Sequence, residues 1–374
     1  MATATKSPPT STEVARRAGV SRTTVSFVLN DVRDQGISDS TRAKVLAAAR
    51  EMGYQPNAAA RTLAGGGTGT VGLVIAKGAH LYVDVFLAQL AASVNEECHR
   101  RGLRMLIEST EDDGREPGGF VNLVRSRRID GLIVVNLPTS AYEHLVRIQD
   151  AGIPMVVLAA DTIGMDRFAT VGNDTMLSAQ IAVDHLLNLG HQRIAYVSFA
   201  PPDYDVVNGR ETGWRNALRQ RGVEPDPAWV EYGDISAQSG YEATRRLIAR
   251  GGKFTALFAG NDTIAFGAIR ALREAGLRVP EDVALVGYDD IPLASYASPP
   301  LTTMRSDPIS HGRDAMQLLW SQLNPDANIP RPQHERSAQL VIRESCGARA
   351  KPKAAPRAKA PPRRPTSASK AKKA

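Results

Sequence analysis

Cysteine is nearly absent from this chain of 374 residues, with only Cys98 and Cys346 present. Two such distant thiols give neither a disulfide framework nor a metal-ligand spacing, as expected of a protein in a reducing compartment. No apolar run of roughly 18 residues occurs, so no membrane span is expected, and the N-terminus lacks the charged-then-apolar order of a secretory signal. A cytoplasmic location follows from those readings. Aromatic residues make up only 5% of the chain, leaving little material for stacking platforms. The histidines (His80, His99, His144, His185, His191, His311 and His334) are scattered with no metal pair, and there is no P-loop, nucleophile elbow or dinucleotide fingerprint. Neither an enzyme nor a bound metal or cofactor is therefore expected.

What is present begins with unevenly distributed charge. Residues 1–65 carry nine Lys/Arg against five Asp/Glu, residues 349–374 carry ten and no acid, and the whole chain is +7, which leaves the middle section near −7. Basic ends on an acidic body point phosphate-seeking surfaces outward and give the body little reason to touch DNA. Hydrophobic residues at 43% of the chain suffice for real cores, and the length allows two or three domains.

Residues 10–56 read as a small helical head. Thr10-Ser11-Thr12-Glu13 has the spacing of a capping box, Gly19 can take the left-handed conformation that ends a helix, and Ser21 is a good cap for the next. A third helix opens at Ser38 and runs to Met52. Val14, Ala15, Ala18, Val25, Val28, Leu29, Ile37, Val45, Ala49, Met52 and Tyr54 form the expected core. Arg22, Thr23, Ser26 and Phe27 are left on the outer side of the second helix, Arg22 suited to guanine and Thr23 to an acceptor or a thymine methyl.

Val14-Ala15-Arg16-Arg17-Ala18-Gly19-Val20-Ser21-Arg22-Thr23-Thr24-Val25-Ser26, Leu29-Asn30, Gly53-Tyr54-Gln55-Pro56-Asn57 and Leu63-Ala64-Gly65 resemble the lactose-repressor (LacI/GalR) family of bacterial transcription regulators. Gly287-Tyr288-Asp289-Asp290 and Pro299-Pro300-Leu301-Thr302-Thr303 extend the resemblance to about residue 345. Phe27 departs from it, standing where the family usually has Arg, and Asp31 to Gly36 is slightly longer than usual. The resemblance implies a ligand-responsive DNA-binding regulator, usually a repressor, acting as a homodimer on a pseudo-palindromic operator. It extends the DNA-contacting set to Ser21, Asn30, Asn57, Ala60 and Leu63. Residues 57–67 become a hinge whose short helix, too short to be stable alone, orders on DNA and wedges Leu63 into the minor groove.

From Val71 onward short apolar runs alternate with amphipathic helices. Val71–Ile75, Arg104–Ile107, Gly131–Val135 and Pro154–Leu158 read as buried parallel strands, followed by a second set at Arg193–Val197, Trp229–Tyr232, Thr255–Ala259 and Val283–Val286. The fold class is thus an all-α head on an α/β core of two doubly wound parallel-sheet lobes, residues 68–345. The resemblance implies a periplasmic-binding-protein-like core whose chain crosses between lobes near 160–170, 291–300 and 325–335. A small-molecule effector, most simply a sugar or sugar derivative, is expected between the lobes. Candidate ligand residues are Arg210, Asn261 and Asp289, with Asp161 replacing an acid missing at Ala159 and Ile235 standing where several members have an aromatic platform. For Asn261 the alternative is a plain helix cap, for Asp289 a turn former, for Arg210 a surface ion pair.

Residues 1–9 read as a flexible start and 346–374 as a disordered Lys/Arg/Ala/Pro tail, either solvated or a nonspecific DNA anchor. Two other classes stay open: an architectural, nucleoid-type DNA protein with a vestigial cleft, and a sugar-handling enzyme or transport protein on the same core.

Overall fold

The structure is a computed structural model that describes residues 9–30, 32, 35–55, 67–110, 119–158, 167–251, 253–330 and 338–348. The head contains three helices, α1 (Ser11–Ala18), α2 (Arg22–Leu29) and α3 (Asp39–Met52). Both halves of the capping box form: the Thr10 hydroxyl accepts from the Glu13 amide and the Glu13 carboxylate accepts from the Thr10 amide at 2.7 Å. Gly19 takes φ 68, and the Ser21 and Ser38 hydroxyls cap α2 and α3 by accepting from Thr24 and Thr41 amides. Val14, Ala15, Val25, Val28, Val45, Ala48 and Ala49 close the core. It is small in volume, so caps and turns carry a large share of the head's stability.

The N-lobe sheet is wholly parallel in the order β2-β1-β3-β4-β5, from β1 (Thr70–Ile75), β2 (Arg104–Ser109), β3 (Gly131–Val135), β4 (Met155–Leu158) and β5 (Ala169–Val171). Its helices are the short α4 (His80–Val83), α5 (Val85–Arg100), α6 (Gly119–Arg125) and α7 (Tyr142–Asp150). The C-lobe sheet runs β11-β10-β9-β8-β6-β7, from β6 (Ile194–Ser198), β7 (Val230–Tyr232), β8 (Ala256–Ala259), β9 (Ala284–Asp289), β10 (Thr302–Arg305) and the antiparallel β11 (Gln339–Val341). Around it lie α8 (Thr175–Asn188), α9 (Asp205–Gln220), α10 (Ala237–Ala249) and α11 (Asp262–Glu274). The expected strands all form within a few residues; the central ones, such as β1, β3 and β8, are buried Val/Ile/Leu/Ala runs that only a sheet covered on both faces accommodates, whereas the edge strand β2 is only partly buried.

α10 and α11 pack closely enough that glycine is required at the crossing. A Cβ on Gly267 would overlap the Ala237 carbonyl oxygen, and one on Gly240 would lie 2.5 Å from the Ile264 carbonyl oxygen.

The lobe crossings differ from the expected ones. β5 still belongs to the N-lobe sheet, paired with β4, so the first passage is Gly172-Asn173-Asp174 rather than 160–170. β10 belongs to the C-lobe, so the second passage is Ser306-Asp307 rather than 291–300. After it comes α12 (Pro308–Leu323), unforeseen in the sequence, whose Ala315, Met316 and Leu319 bury into the N-lobe core beside Leu90 and Val94. The chain is back in the C-lobe sheet at β11, and the later part of the third expected crossing, residues 331–335, lies outside the described residues.

Candidate functional site

In the head, Ser21, Arg22, Thr23, Ser26 and Asn30 are exposed on α2 and its caps, while Phe27 is half-buried. The Ser21 hydroxyl is occupied, holding the Thr24 amide at 3.0 Å and the Thr24 hydroxyl at 2.9 Å, so its role is to fix where α2 begins. Asn30 Nδ2 reaches back to Ser26 Oγ at 3.3 Å. Arg22 and Thr23, in the first turn, have the position from which a recognition helix meets base edges. Asn57, Ala60, Leu63 and Asp161 lie outside the described residues.

The second candidate site is a cleft of about 580 Å³, open mouth included, where strand ends of both lobes meet. Its polar groups arrive from turns just past parallel strands, where backbone and side chains are free of sheet pairing. Asn136 follows β3, Asn173 follows β5, Asn261 follows β8, Asp289 ends β9, and Asp84 lies between β1 and α5. Val135, Leu158, Val171 and Val206 supply apolar walls.

Arg210 stands on the second turn of α9 and is buried, only 8% exposed. Its guanidinium lies 3.7 Å from the Tyr288 ring centroid and 4.6 Å from that of Phe199, donates to the Gly260 carbonyl, and comes within 3.9 Å of Asp289 Oδ1. This is no surface ion pair. Asp289, at φ 107, is buried, and burial pushes its carboxyl well above the ordinary range while Arg210 pulls it down. The Asp84 carboxyl is raised to about 6, first by burial, against the lowering effect of hydrogen bonds from the Leu87 and Phe86 amides and of Arg210. Asp84 also raises Asp289, so the cleft holds two interacting carboxyls beside one guanidinium. Asn261 caps α11, its Oδ1 accepting from the Ile264 amide at 2.8 Å, and it lines the cleft as well. The helix-cap reading holds, and the residue's place on the cleft wall is compatible with the expected ligand role.

Ile235 is the exception. It does not line the cleft but is buried in the C-lobe core at φ 58, its amide donating to the Phe199 carbonyl at 2.5 Å. That bond holds the backbone in a left-handed turn and its side chain packs with the core residues Phe199, Ala243 and Ile264.

Sequence reasoning missed Asp84, Asn136, Asn173, Ser306 and His311. The signal for the first was a cap residue ahead of an expected helix; for Asn136, a polar residue directly behind an expected strand. Asn173, Ser306 and His311 gave none, because they depend on the inter-lobe passages. There Asn173 Nδ2 donates to Ser306 Oγ at 2.8 Å and Asn173 Oδ1 lies 3.3 Å from His311 Nε2, tying both passages together on the cleft wall. At the cleft mouth the Thr139 amide donates to the Asp203 carbonyl at 2.8 Å, and Lys77 and His80 approach Asp234 at 3.8 and 3.6 Å. The lobes are thus in contact at two places besides the passages.

Residues 10–57 match the family model of bacterial regulatory proteins, lacI family, and residues 183–346 that of a periplasmic binding protein-like domain. The HTH-type transcriptional repressor PurR of Haemophilus influenzae (strain PittEE) is 32% identical over 341 residues, covering 89% of this chain and 97% of that protein. Among solved structures, the Lac repressor dimer bound to operator and the anti-inducer ONPF is similar at TM-score 0.78 and 29% identity, over 91% of this chain and 100% of that one. The complex of the transcriptional regulator CelR with cellobiose is similar at TM-score 0.66 and 31% identity, over 90% of this chain and 99% of that one. A helix-turn-helix head joined to two parallel-sheet lobes with a polar cleft between them defines a DNA-binding regulator that responds to a small ligand. The chain belongs to the lacI family of bacterial transcription regulators.

Proposed function

We propose that the chain is a cytoplasmic, nucleoid-associated repressor, dimeric on a pseudo-palindromic operator, whose effector is a neutral polyhydroxyl compound, a sugar or sugar derivative, held in the cleft. The observation that carries the ligand class is the set of groups on the cleft wall: two carboxyls, Asp84 and Asp289, against the single guanidinium of Arg210. An anion would meet one guanidinium already engaged by the Gly260 carbonyl and Asp289, and two carboxyls that would have to stay protonated to tolerate it. Vicinal hydroxyls instead donate to a carboxylate and accept from a guanidinium, while Asn136, Asn173 and Asn261 offer amides of both kinds. The solved relative with cellobiose supports the same class. This reading disfavours sugar acids and sugar phosphates. It assigns the cleft binding and no catalytic step.

The mechanism follows from the paired passages. A ligand that touches Asn136 and Asp84 on one lobe and Arg210 and Asp289 on the other binds the closed arrangement better than the open one, and only such a difference shifts the equilibrium. The shift reaches DNA through residues 57–67, read as the hinge, with Asn57, Ala60 and Leu63 in the minor groove. Calorimetry of the full chain with neutral mono- and disaccharides, sugar phosphates, sugar acids and nucleobases tests the class. Binding of a neutral sugar, abolished by Arg210→Met, is expected; tight binding confined to the anions or nucleobases overturns it. Leu63→Gly should keep ligand affinity and lose tight operator binding, and retained operator affinity would show that residue 63 is no wedge.

A further inference from the structure

The strands of the N-lobe sheet all start at the end away from the cleft, and exposed arginines gather there. Arg104 opens β2 level with Thr70, Arg125 closes α6, and Arg127 and Arg128 form the turn before β3. All four are exposed, and among the described residues none has a carboxylate within ion-pair distance. The acids at this end are engaged elsewhere. Asp130 accepts the Thr68 and Gly69 amides at 2.6 and 2.7 Å, Asp150 pairs with Arg167 at 2.7 Å, and Glu96 and Glu97 hold Arg100, with Glu97 also holding Arg101.

A second observation concerns the backbone. The Arg127 amide donates to the Val124 carbonyl and the Arg128 amide to the Leu123 carbonyl, both at 2.9 Å, which is the bonding of a left-handed helix stop. At that place other helices of this chain use glycine, as at Gly102, Gly152, Gly222 and Gly276, whereas here Arg127 takes φ 51. An arginine held where glycine is favoured is retained at a cost in backbone strain.

The third is the tether. Thr68 and Gly69 are fastened to Asp130 at this end, and the last described residue of the head, Gln55, precedes them by a segment that spans at most about 45 Å when fully extended. Duplex held by the head therefore lies within reach of this end of the lobe.

We propose that Arg104, Arg125, Arg127 and Arg128 form a second DNA surface, resting on the phosphate backbone flanking the site read by the head. It reads no bases, adds affinity through counterion release, and makes the effector domain a DNA contact in spite of its acidic total. The inference rests on the DNA-binding reading and is separable from it.

The test uses the full chain, a long random-sequence duplex labelled with fluorescein, and anisotropy titrations across roughly 50 to 200 mM salt. Arg104→Ala, Arg125→Ala, Arg127→Gly and Arg128→Ala are combined in one variant. A control variant carries Arg193→Ala, Arg221→Ala, Arg245→Ala and Arg273→Ala, which removes the same charge from the C-lobe. The slope of log affinity against log salt should fall by about 0.9 for each arginine that had reached a phosphate, should stay unchanged in the control, and should return in the four-lysine version. An unchanged slope in the first variant, or an equal fall in the control, overturns the proposal. If the combined variant melts early, Arg104→Ala and Arg128→Ala alone carry the same expectation. Absence of salt-dependent binding by the parent chain would instead refute the DNA-binding reading itself.

Discussion

Asp262 offers a prediction whose size follows from its surroundings. It opens α11, is fully buried, and takes two hydrogen bonds: Oδ1 from the Thr303 hydroxyl at 2.6 Å and Oδ2 from the Ile291 amide at 2.9 Å. It thereby ties α11 to β10 and to the segment just past Asp289, which sets the cleft floor. Burial is the first cause that raises its carboxyl to about 7 from an ordinary 3.8; the two hydrogen bonds oppose it and Asp290 adds to it. Between those values the folded chain keeps a proton that the unfolded chain has lost. Stability from this group is therefore greatest below about pH 4 and declines as pH rises toward 7. A tenfold change in proton affinity is about 1.4 kcal/mol, so moving from about pH 5 to about pH 8 costs on the order of 3 kcal/mol from Asp262 alone. In Asp262→Asn the group no longer titrates, and the pH dependence of stability should shrink by that amount, although absolute stability also falls because an amide serves only one of the two donors. Urea unfolding followed by tryptophan fluorescence reads it, because Trp214 is buried in the C-lobe with its indole N–H on the Ile194 carbonyl at 3.0 Å. If wild type and variant lose stability in parallel over this pH range, to within about 0.5 kcal/mol, the assignment of a buried titrating acid is wrong.

Three further outcomes are expected. Gly267→Ala should destabilise the C-lobe by about 3 kcal/mol or more, the upper end for overpacking, because α10 must retreat from a methyl that meets the Ala237 carbonyl and lies 2.5 Å from the Tyr241 amide; a chemical melt like that of wild type would contradict this. Thr10→Ala removes the α1 cap and should cost the head about 1 kcal/mol, seen as increased amide exchange in α1 with no change in C-lobe unfolding. Arg22→Ala should relax discrimination at one guanine by about 1 to 3 kcal/mol in a selection experiment against randomised duplex, and an unaltered consensus would remove Arg22 from the base-reading set.

Local features were the most readable in the chain. Thr10, Gly19, Ser21 and Ser38 act on amides and carbonyls within a few residues, and each does in the structure what its spacing demanded. The central strands were readable for a related reason: an unbroken run such as Gly131–Val135, buried throughout, has few alternatives. Three short strands were not. β5, β10 and β11 hold only three or four residues each, too few for an apolar run to show, and β11 is placed only by its antiparallel pairing with β10, as when Thr303 meets Val341. The start of α12 carried its own signal, Asp307 capping the Ile309 and Ser310 amides with Pro308 at the first turn, yet the lobe it joins was invisible.

The site divides the same way. Arg210, Asn261 and Asp289 were reachable because they stand beside recognisable strands and motifs, and Ile235 was misplaced because a motif position does not fix a backbone angle. Amino-acid order by itself determined the head, the two-lobed core and the uneven charge, since caps, apolar runs and charge are properties of adjacent residues. Only the tertiary structure decided which side chains share the cleft, that Arg210 lies between Tyr288 and Phe199, that Asn173 and His311 join the two passages, and that exposed arginines with no carboxylate partner among the described residues meet at one end of the N-lobe. Those groupings arise from parallel-strand register and from the order in which the chain passes between lobes, and both are set by long-range packing that no short window of sequence contains.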